Sequence, residues 1–261
     1  MERTKPGEFN WVDLSASDID AQTAIYEGLF GWTHTDVPFA EGPVYKIYAL
    51  GGKTVAGGTQ MNPAAAAAGA PTAWNTYVRA DDVDAQAARA VELGGQIVMP
   101  ALDVPEQGRI VGIADPTGAT LFMWKPLHPD ATTQYMAAGT YGWAQLNTRD
   151  PQTAVEFYGK LFDWELVLLD WDPTHPYWQV LVDGEGQAGI SPMPDAVPAS
   201  MPAFWRPDFM TDDIDASIER AIELGGTVIS PKSVIPGRLA TAEIRDPAGA
   251  MFTLLQPYGQ M

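Results

Sequence analysis

The sequence predicts an α+β fold built from four βαβββ modules arranged in two tandem halves. Three observations predict it. An aspartate-led segment recurs at Asp18-Ile19-Asp20-Ala21, Asp82-Val83-Asp84-Ala85, Asp150-Pro151-Gln152-Thr153 and Asp213-Ile214-Asp215-Ala216, with intervals of 64, 68 and 63 residues between the first aspartates. A regular period of this kind marks a repeated supersecondary unit. The halves also align at an offset of about 132, so that Trp11, Leu14, Tyr26, Phe30 and Trp32 recur as Trp143, Leu146, Tyr158, Phe162 and Trp164. Finally, every quarter passes through the same sequence of strand and helix signals.

Each module opens on a short alternating strand, as in Trp11-Val12-Asp13-Leu14. A Ser or Asp then starts a helix with acidic residues in its first turn, where the macrodipole favours them. In the second and fourth modules Gly94-Gly95 and Gly225-Gly226 end that helix as left-handed caps. Alternating runs follow, such as Val44 to Leu50 and Tyr177 to Val182, with turns at Gly51-Gly52 and Asp183-Gly184. Prolines bracket the alanine-rich stretch from Pro63 to Pro71, which reads as an irregular connector. The expected division is a first domain over 1–127, a linker over 128–140 and a second domain over 141–261.

Composition narrows the function. The 261 residues are 46% hydrophobic, enough for a packed core, and 33 acidic against 15 basic residues give a net charge of -18. Such a chain repels phosphate backbones and anionic lipid, so neither nucleic acid nor membrane is an expected partner. Without cysteine there are no disulfides, thiolate nucleophiles or thiolate metal ligands. Met1 to Phe9 has no apolar signal region and no later run is long enough to span a bilayer, so the expected location is cytoplasmic.

The fourfold module, the Asp-x-(Asp/Gln)-Ala helix starts, the Phe30-Gly31-Trp32 phrase and Asp115-Pro116-Thr117-Gly118 before a last strand together resemble the vicinal oxygen chelate superfamily. Glyoxalases, bleomycin-resistance proteins and extradiol dioxygenases are its members. The resemblance covers essentially the whole chain and is nearest to two-domain actinobacterial members. It implies two tandem cup-shaped, glyoxalase-like domains, each made from two modules. It also implies a divalent metal in the cup, with ligands seven residues before the helix-start aspartate and four residues after the Asp-Pro-x-Gly glycine. Those positions hold Trp11, Asn75 and Phe122 in the first half, and Trp143, Arg206 and Thr253 in the second. Metals of this family need imidazole, carboxylate or amide oxygen. Only Asn75 and Thr253 offer an oxygen, and they lie in different halves. His34, His128 and His175 share no strand face by spacing, and Asp170, Asp172 and His175 form only a loose cluster. No metal and no cofactor are therefore expected.

Alternation assigns the concave faces. The first cup is expected to hold Trp11, Asp13, Asn75, Tyr77, Arg79, Phe122 and Trp124. The second is expected to hold Trp143, Gln145, Arg206, Asp208, Met210, Met251, Thr253 and Leu255. Aromatic walls with a few converging polar groups suit a flat, partly polar organic ligand, although large apolar side chains also fill ordinary cores. Arg79 with Asp13, and Arg206 with Asp208, are candidate pairs, and Arg109 and Arg238 are candidates to reach the cup mouths. Tyr45, Tyr48, Tyr177 and Trp178 lie on hairpin strands whose facing the sequence leaves open.

The functional expectation is a metal-free binding protein for a small aromatic or polycyclic molecule, acting in resistance, sequestration or natural-product biosynthesis. One alternative is a lyase, isomerase or dioxygenase-type enzyme with Asp13, Tyr77 or Asp208 as acid–base groups. Another is a protein-interaction role with vestigial cups. A fused four-module chain is expected to be a monomer or a homodimer.

Overall fold

The computed structural model describes residues 3–38, 44–128, 133–169, 176–194 and 197–259. Its first half runs β1 (Phe9–Ala16), α1 (Ile19–Phe30), β2 (Thr33–Val37), β3 (Tyr45–Leu50), β4 (Lys53–Gln60), α2 (Pro63–Ala67), β5 (Ala73–Arg79), α3 (Val83–Glu92), β6 (Gln96–Val104), β7 (Gly108–Ala114) and β8 (Thr120–Pro126). The second half runs β9 (Tyr141–Thr148), α4 (Pro151–Phe162), β10 (Glu165–Leu169), β11 (Tyr177–Val182), β12 (Glu185–Pro192), β13 (Phe204–Met210), α5 (Ile214–Glu223), β14 (Thr227–Ile235), β15 (Leu239–Arg245) and β16 (Met251–Pro257). Each half is one eight-stranded sheet. The orders are β2-β3-β4-β1-β5-β8-β7-β6 and β10-β11-β12-β9-β13-β16-β15-β14, so two βαβββ modules meet at the antiparallel β1–β5 and β9–β13 pairs.

The repeated aspartates are the reason the four module helices start where they do. Asp18, Asp82, Asp150 and Asp213 are N-caps whose carboxylates accept from Ala21, Ala85, Thr153 and Ala216 backbone N–H groups. The stretch after Pro63 departs from the expected irregular connector. Asn62 caps a short helix over Pro63–Ala67, because proline at a first helical turn lacks only an N–H that has no helical partner anyway.

The helices lie between the sheets, and the joint between the halves is aromatic core. Phe30 packs on Phe209 at 5.2 Å between ring centroids, and Phe9 stacks on Trp164 at 4.9 Å. Its polar contacts are exchanged in matching pairs. Tyr26 on α1 accepts from Trp74 Nε1 at 2.9 Å and donates to Asp246 of the other half at 2.8 Å. Tyr158 on α4 accepts from Trp205 Nε1 at 2.8 Å, and Asp115 of the first half is its carboxylate neighbour. Arg89 donates to the Lys160 carbonyl and Arg220 to the Gly28 carbonyl.

Candidate functional site

Strand alternation fixes what each cup contains. Val12, Leu14, Thr76 and Val78 are buried on the helix side, which leaves Trp11, Asp13, Asn75, Tyr77 and Arg79 on the concave face of the first sheet. Register places Asp13 opposite Asn75, and Trp11 opposite Tyr77. Asp13 is 4% exposed and sits in a cage of neutral donors. Tyr77 Oη donates to its Oδ2 at 2.6 Å, Asn75 Nδ2 to its Oδ1 at 2.8 Å, and Tyr45 Oη to Oδ2 at 3.3 Å. Trp11 Nε1 donates to Tyr45 Oη at 2.9 Å, so the indole N–H is satisfied within the cup. Burial raises the Asp13 carboxyl above its ordinary value, and the three hydrogen bonds oppose that rise. Burial also pushes the Tyr45 and Tyr77 phenols well up, which keeps both as neutral donors. Trp11, Phe122 and Trp124 are half-buried and keep part of their rings open on this face.

The expected Arg79–Asp13 pair does not form. Arg79 is four residues beyond Asn75, the partner of Asp13, a separation of roughly 13 Å along the strand. Its Nε has no hydrogen-bond partner among the described residues. Nor does Arg109 reach the cup mouth. It belongs to β7, and its guanidinium is held by Asp84 and Asp103 at 2.8 Å each, away from the cup. Arg238 lies in the exposed turn between β14 and β15. Tyr45 and Tyr177 are the two residues that sequence reasoning left unassigned and the fold brings into the cups. The signal for them was a glycine on the neighbouring strand, diagonal to each tyrosine: a Cβ on Gly57 would lie 2.0 Å from Tyr45 Oη, and one on Gly189 would lie 1.9 Å from Tyr177 Oη. Tyr48 faces the helices and meets Thr23 at 2.8 Å.

The second cup repeats the frame with different groups. Trp143 Nε1 donates to Tyr177 Oη at 3.0 Å. Gln145 lies opposite Arg206 and donates to Ser191 Oγ at 3.0 Å. Arg206 is closer to Glu243 (Nη1–Oε1, 2.9 Å) than to Asp208 (Nε–Oδ1, 3.8 Å). Asp208 is 5% exposed. Burial is the main reason its carboxyl is pushed up to about 6, and the Arg206 guanidinium pulls the other way. Thr253 is paired in register with Asp208, and Leu255 with Met210.

Two clefts run along the joint between the halves rather than in the cups. One of about 450 Å³ is lined by Phe30, Leu50, Met210 and Arg220, among others, and one of about 110 Å³ by Leu93, Phe157 and Lys160, among others. His34 is held by Glu27 at 2.7 Å on β2, and His128 is exposed. His175, Asp170 and Asp172 lie outside the described residues.

Residues 8–122 match the family model described as Glyoxalase/Bleomycin resistance protein/Dioxygenase superfamily, and residues 143–255 match a Glyoxalase-like domain. The "Putative glyoxylase CFP32" of Mycobacterium tuberculosis (strain CDC 1551 / Oshkosh) is 36% identical over 98% of this chain and 97% of its own length. This chain belongs to the glyoxalase/bleomycin resistance/dioxygenase superfamily. Among further superfamily relatives, the "Anthracycline biosynthesis protein DnrV" of Streptomyces peucetius is 30% identical over 98% of the chain and 95% of its own length. Among solved structures, the Mn(II)-bound glyoxalase from Novosphingobium aromaticivorans has a TM-score of 0.63 at 15% identity, covering 98% of this chain and 83% of its own. The 2,2',3-trihydroxybiphenyl 1,2-dioxygenase of Sphingomonas wittichii strain RW1 has a TM-score of 0.66 at 12% identity, covering 98% and 91%. At these identities the two structures speak for the superfamily fold alone.

The superfamily's metal does not fit the side chains present. The positions that would ligate it carry indole, phenyl, guanidinium, one amide and one hydroxyl. The nearest carboxylate in the first cup has both oxygens occupied by donors. Among the described residues no three His, Cys, Asp or Glu side chains converge. Nor is any described helix long and apolar enough to cross a membrane.

Proposed function

We propose that this superfamily member binds a flat, polycyclic aromatic small molecule without a metal, in support of natural-product chemistry. The observation that carries the reading is the donor set. Where a metal would be ligated, each cup presents a tryptophan pinned by a tyrosine hydroxyl: Trp11 by Tyr45 and Trp143 by Tyr177. A fixed aromatic face beside a few polar groups suits stacking on a planar ligand and does not suit coordination. The relatives named for anthracycline biosynthesis, which match along nearly the whole chain, support the same class of ligand.

The test is a titration of tryptophan emission with anthraquinone-type tricyclic compounds, on protein treated with EDTA and on protein left untreated. Saturable quenching at one ligand per cup or per chain, indifferent to EDTA, is the expected result. Binding that EDTA abolishes would return a metal to the site and sink the proposal.

A second reading, catalysis by a lyase or isomerase, draws on Asp208. A buried carboxyl brought up to about 6 has the proton affinity of a general base near neutral pH. Turnover of a bound probe, lost on Asp208→Asn with binding retained, would favour it.

A further inference from the structure

The two cups share one frame and carry opposite chemistry. Across four neighbouring strands of the first sheet, register aligns Trp11, Tyr77, Phe122 and Gly112. The equivalent row in the second sheet is Trp143, Asp208, Thr253 and Glu243. The first row is aromatic wherever it has a side chain. Tyr77 stacks on Phe122 with ring centroids 5.1 Å apart, and a Cβ on Gly112 would lie 2.9 Å from that phenyl ring. Its neighbouring carboxylate, Asp13, has a full set of donors from the protein itself.

The second row has no such closure. Glu243 takes the close contact of the Arg206 guanidinium. Asp208 Oδ1, Arg206 Nε and Thr253 Oγ1 are buried and make no close hydrogen bond among the described residues; Nε and Oδ1 form only a long ion pair at 3.8 Å, and Thr253 is the register neighbour of Asp208. The three side chains are 5%, 6% and 2% exposed. Alternation along β13 sends Arg206 and Asp208 to the concave side, because Trp205 and Phe209 between them pack against Tyr158 and Phe30. Buried polar groups are ordinarily paired, and an unpaired acceptor in a low-dielectric setting is costly. Three such atoms on one face, joined only by a long 3.8 Å ion pair, keep hydrogen-bonding capacity for a ligand.

We propose that the second cup is the polar anchor of the ligand: an O–H on a planar aromatic molecule donates to Asp208 Oδ1, beside Thr253 Oγ1 and Arg206 Nε. The first cup offers an aromatic row, and its carboxylate, Asp13, is already supplied with donors by the protein. This rests on the binding reading above and assigns the ligand's hydroxyl, and the cup that reads it.

Two tricyclic probes that differ by one hydroxyl test it by calorimetric titration: 2-(hydroxymethyl)anthraquinone and 2-methylanthraquinone. The native chain is expected to bind the hydroxylated probe about tenfold more tightly, as one hydrogen bond to a charged acceptor gives. Asp208→Leu is expected to erase that preference while still binding the methyl probe. Thr253→Val, which removes a hydroxyl at nearly constant shape, is expected to weaken the hydroxylated probe alone. Equal affinity of the native chain for the two probes overturns the anchor and leaves the binding reading standing. A preference that survives Asp208→Leu also overturns it, by placing the anchor elsewhere. If neither probe binds the native chain, both readings fall together.

Discussion

Tyr77 and Asp208 occupy the same place in the two cups, and one is a donor where the other is an acceptor. Tyr77 stands opposite Trp11 and closes the Asp13 cage at 2.6 Å; Asp208 stands opposite Trp143 and keeps one oxygen without a hydrogen bond, 3.8 Å from Arg206 Nε. The carboxylate has in effect moved from the central strand of the first module of one half to that of the second module in the other.

Removing the Tyr77 hydroxyl leaves a buried carboxylate short of one donor. Tyr77→Phe is expected to lower stability by about 2 kcal/mol, the usual cost of a lost hydrogen bond to a charged group. It is also expected to raise the Asp13 carboxyl further, since that bond now holds it down. Urea unfolding and a carbon-detected NMR titration of Asp13 measure the two effects. A variant unchanged in both would refute the cage.

Asp208 makes stability depend on pH in a definite direction. Its folded carboxyl is at about 6 against an ordinary 3.8. A group raised on folding stabilises fully below its unfolded value, and that contribution is lost as pH rises through its folded value. The groups facing it are Arg206 on its own strand, Glu243 on β15, Thr253 on β16, and the phenols of Tyr177 on β11 and Tyr141 on β9. Relative to Asp208→Asn, the native chain is expected to lose on the order of 3 kcal/mol between pH 4 and pH 7. Parallel pH dependence of the two proteins would contradict this.

Tyr26 bonds across the joint between halves. Tyr26→Phe strips a partner from Trp74 Nε1 and from Asp246 Oδ2 at once. The expected cost is about 2–3 kcal/mol. Because the joint is continuous core, unfolding is expected to stay a single transition in both proteins. Calorimetry that resolves two independent transitions in the native chain would separate the domains and defeat the argument.

Gly57 and Gly189 make room for the tyrosines that hold the tryptophans. Gly57→Ala and Gly189→Ala each force a tyrosine hydroxyl out of place and are expected to cost about 1–3 kcal/mol. In each variant an indole N–H loses its partner, so tryptophan emission of the folded protein is expected to shift. An unaltered spectrum together with unaltered stability would show that the contacts are dispensable.

Metal ions are expected to leave the melting temperature unchanged. A ligand at a hundred times its Kd adds about 2.7 kcal/mol to the stability of a folded state that binds it. Manganese, nickel or zinc at such levels would then raise the melting temperature by several degrees if a site existed. A rise of that size, reversed by EDTA, would falsify the reading of the donor set.

Much of this was legible in the chain. The fourfold aspartate signature fixed the modules because an N-cap is a local device: one carboxylate meets the N–H three residues ahead and needs nothing else. Period-two alternation likewise set which residues face each cup, since side-chain direction on a strand follows from pleating alone. Trp11, Asp13, Asn75, Tyr77 and Phe122 are therefore on one face, as are Trp143, Gln145, Arg206, Asp208 and Thr253. Pairing was not legible. Whether Asp13 meets Arg79 or Tyr77, and whether Arg206 meets Asp208 or Glu243, depends on register between strands and on which neighbour lies across the sheet. Those are non-local quantities that place Tyr45, 32 residues from Asp13, in its coordination shell of donors. The sequence by itself determined the modules and the strand faces, because each is a matter of local geometry. Only the tertiary structure decided that one carboxylate is sealed by hydrogen bonds from its neighbours and the other left with an oxygen that makes none, because a hydrogen bond is made or missed across ångströms that chain spacing does not encode.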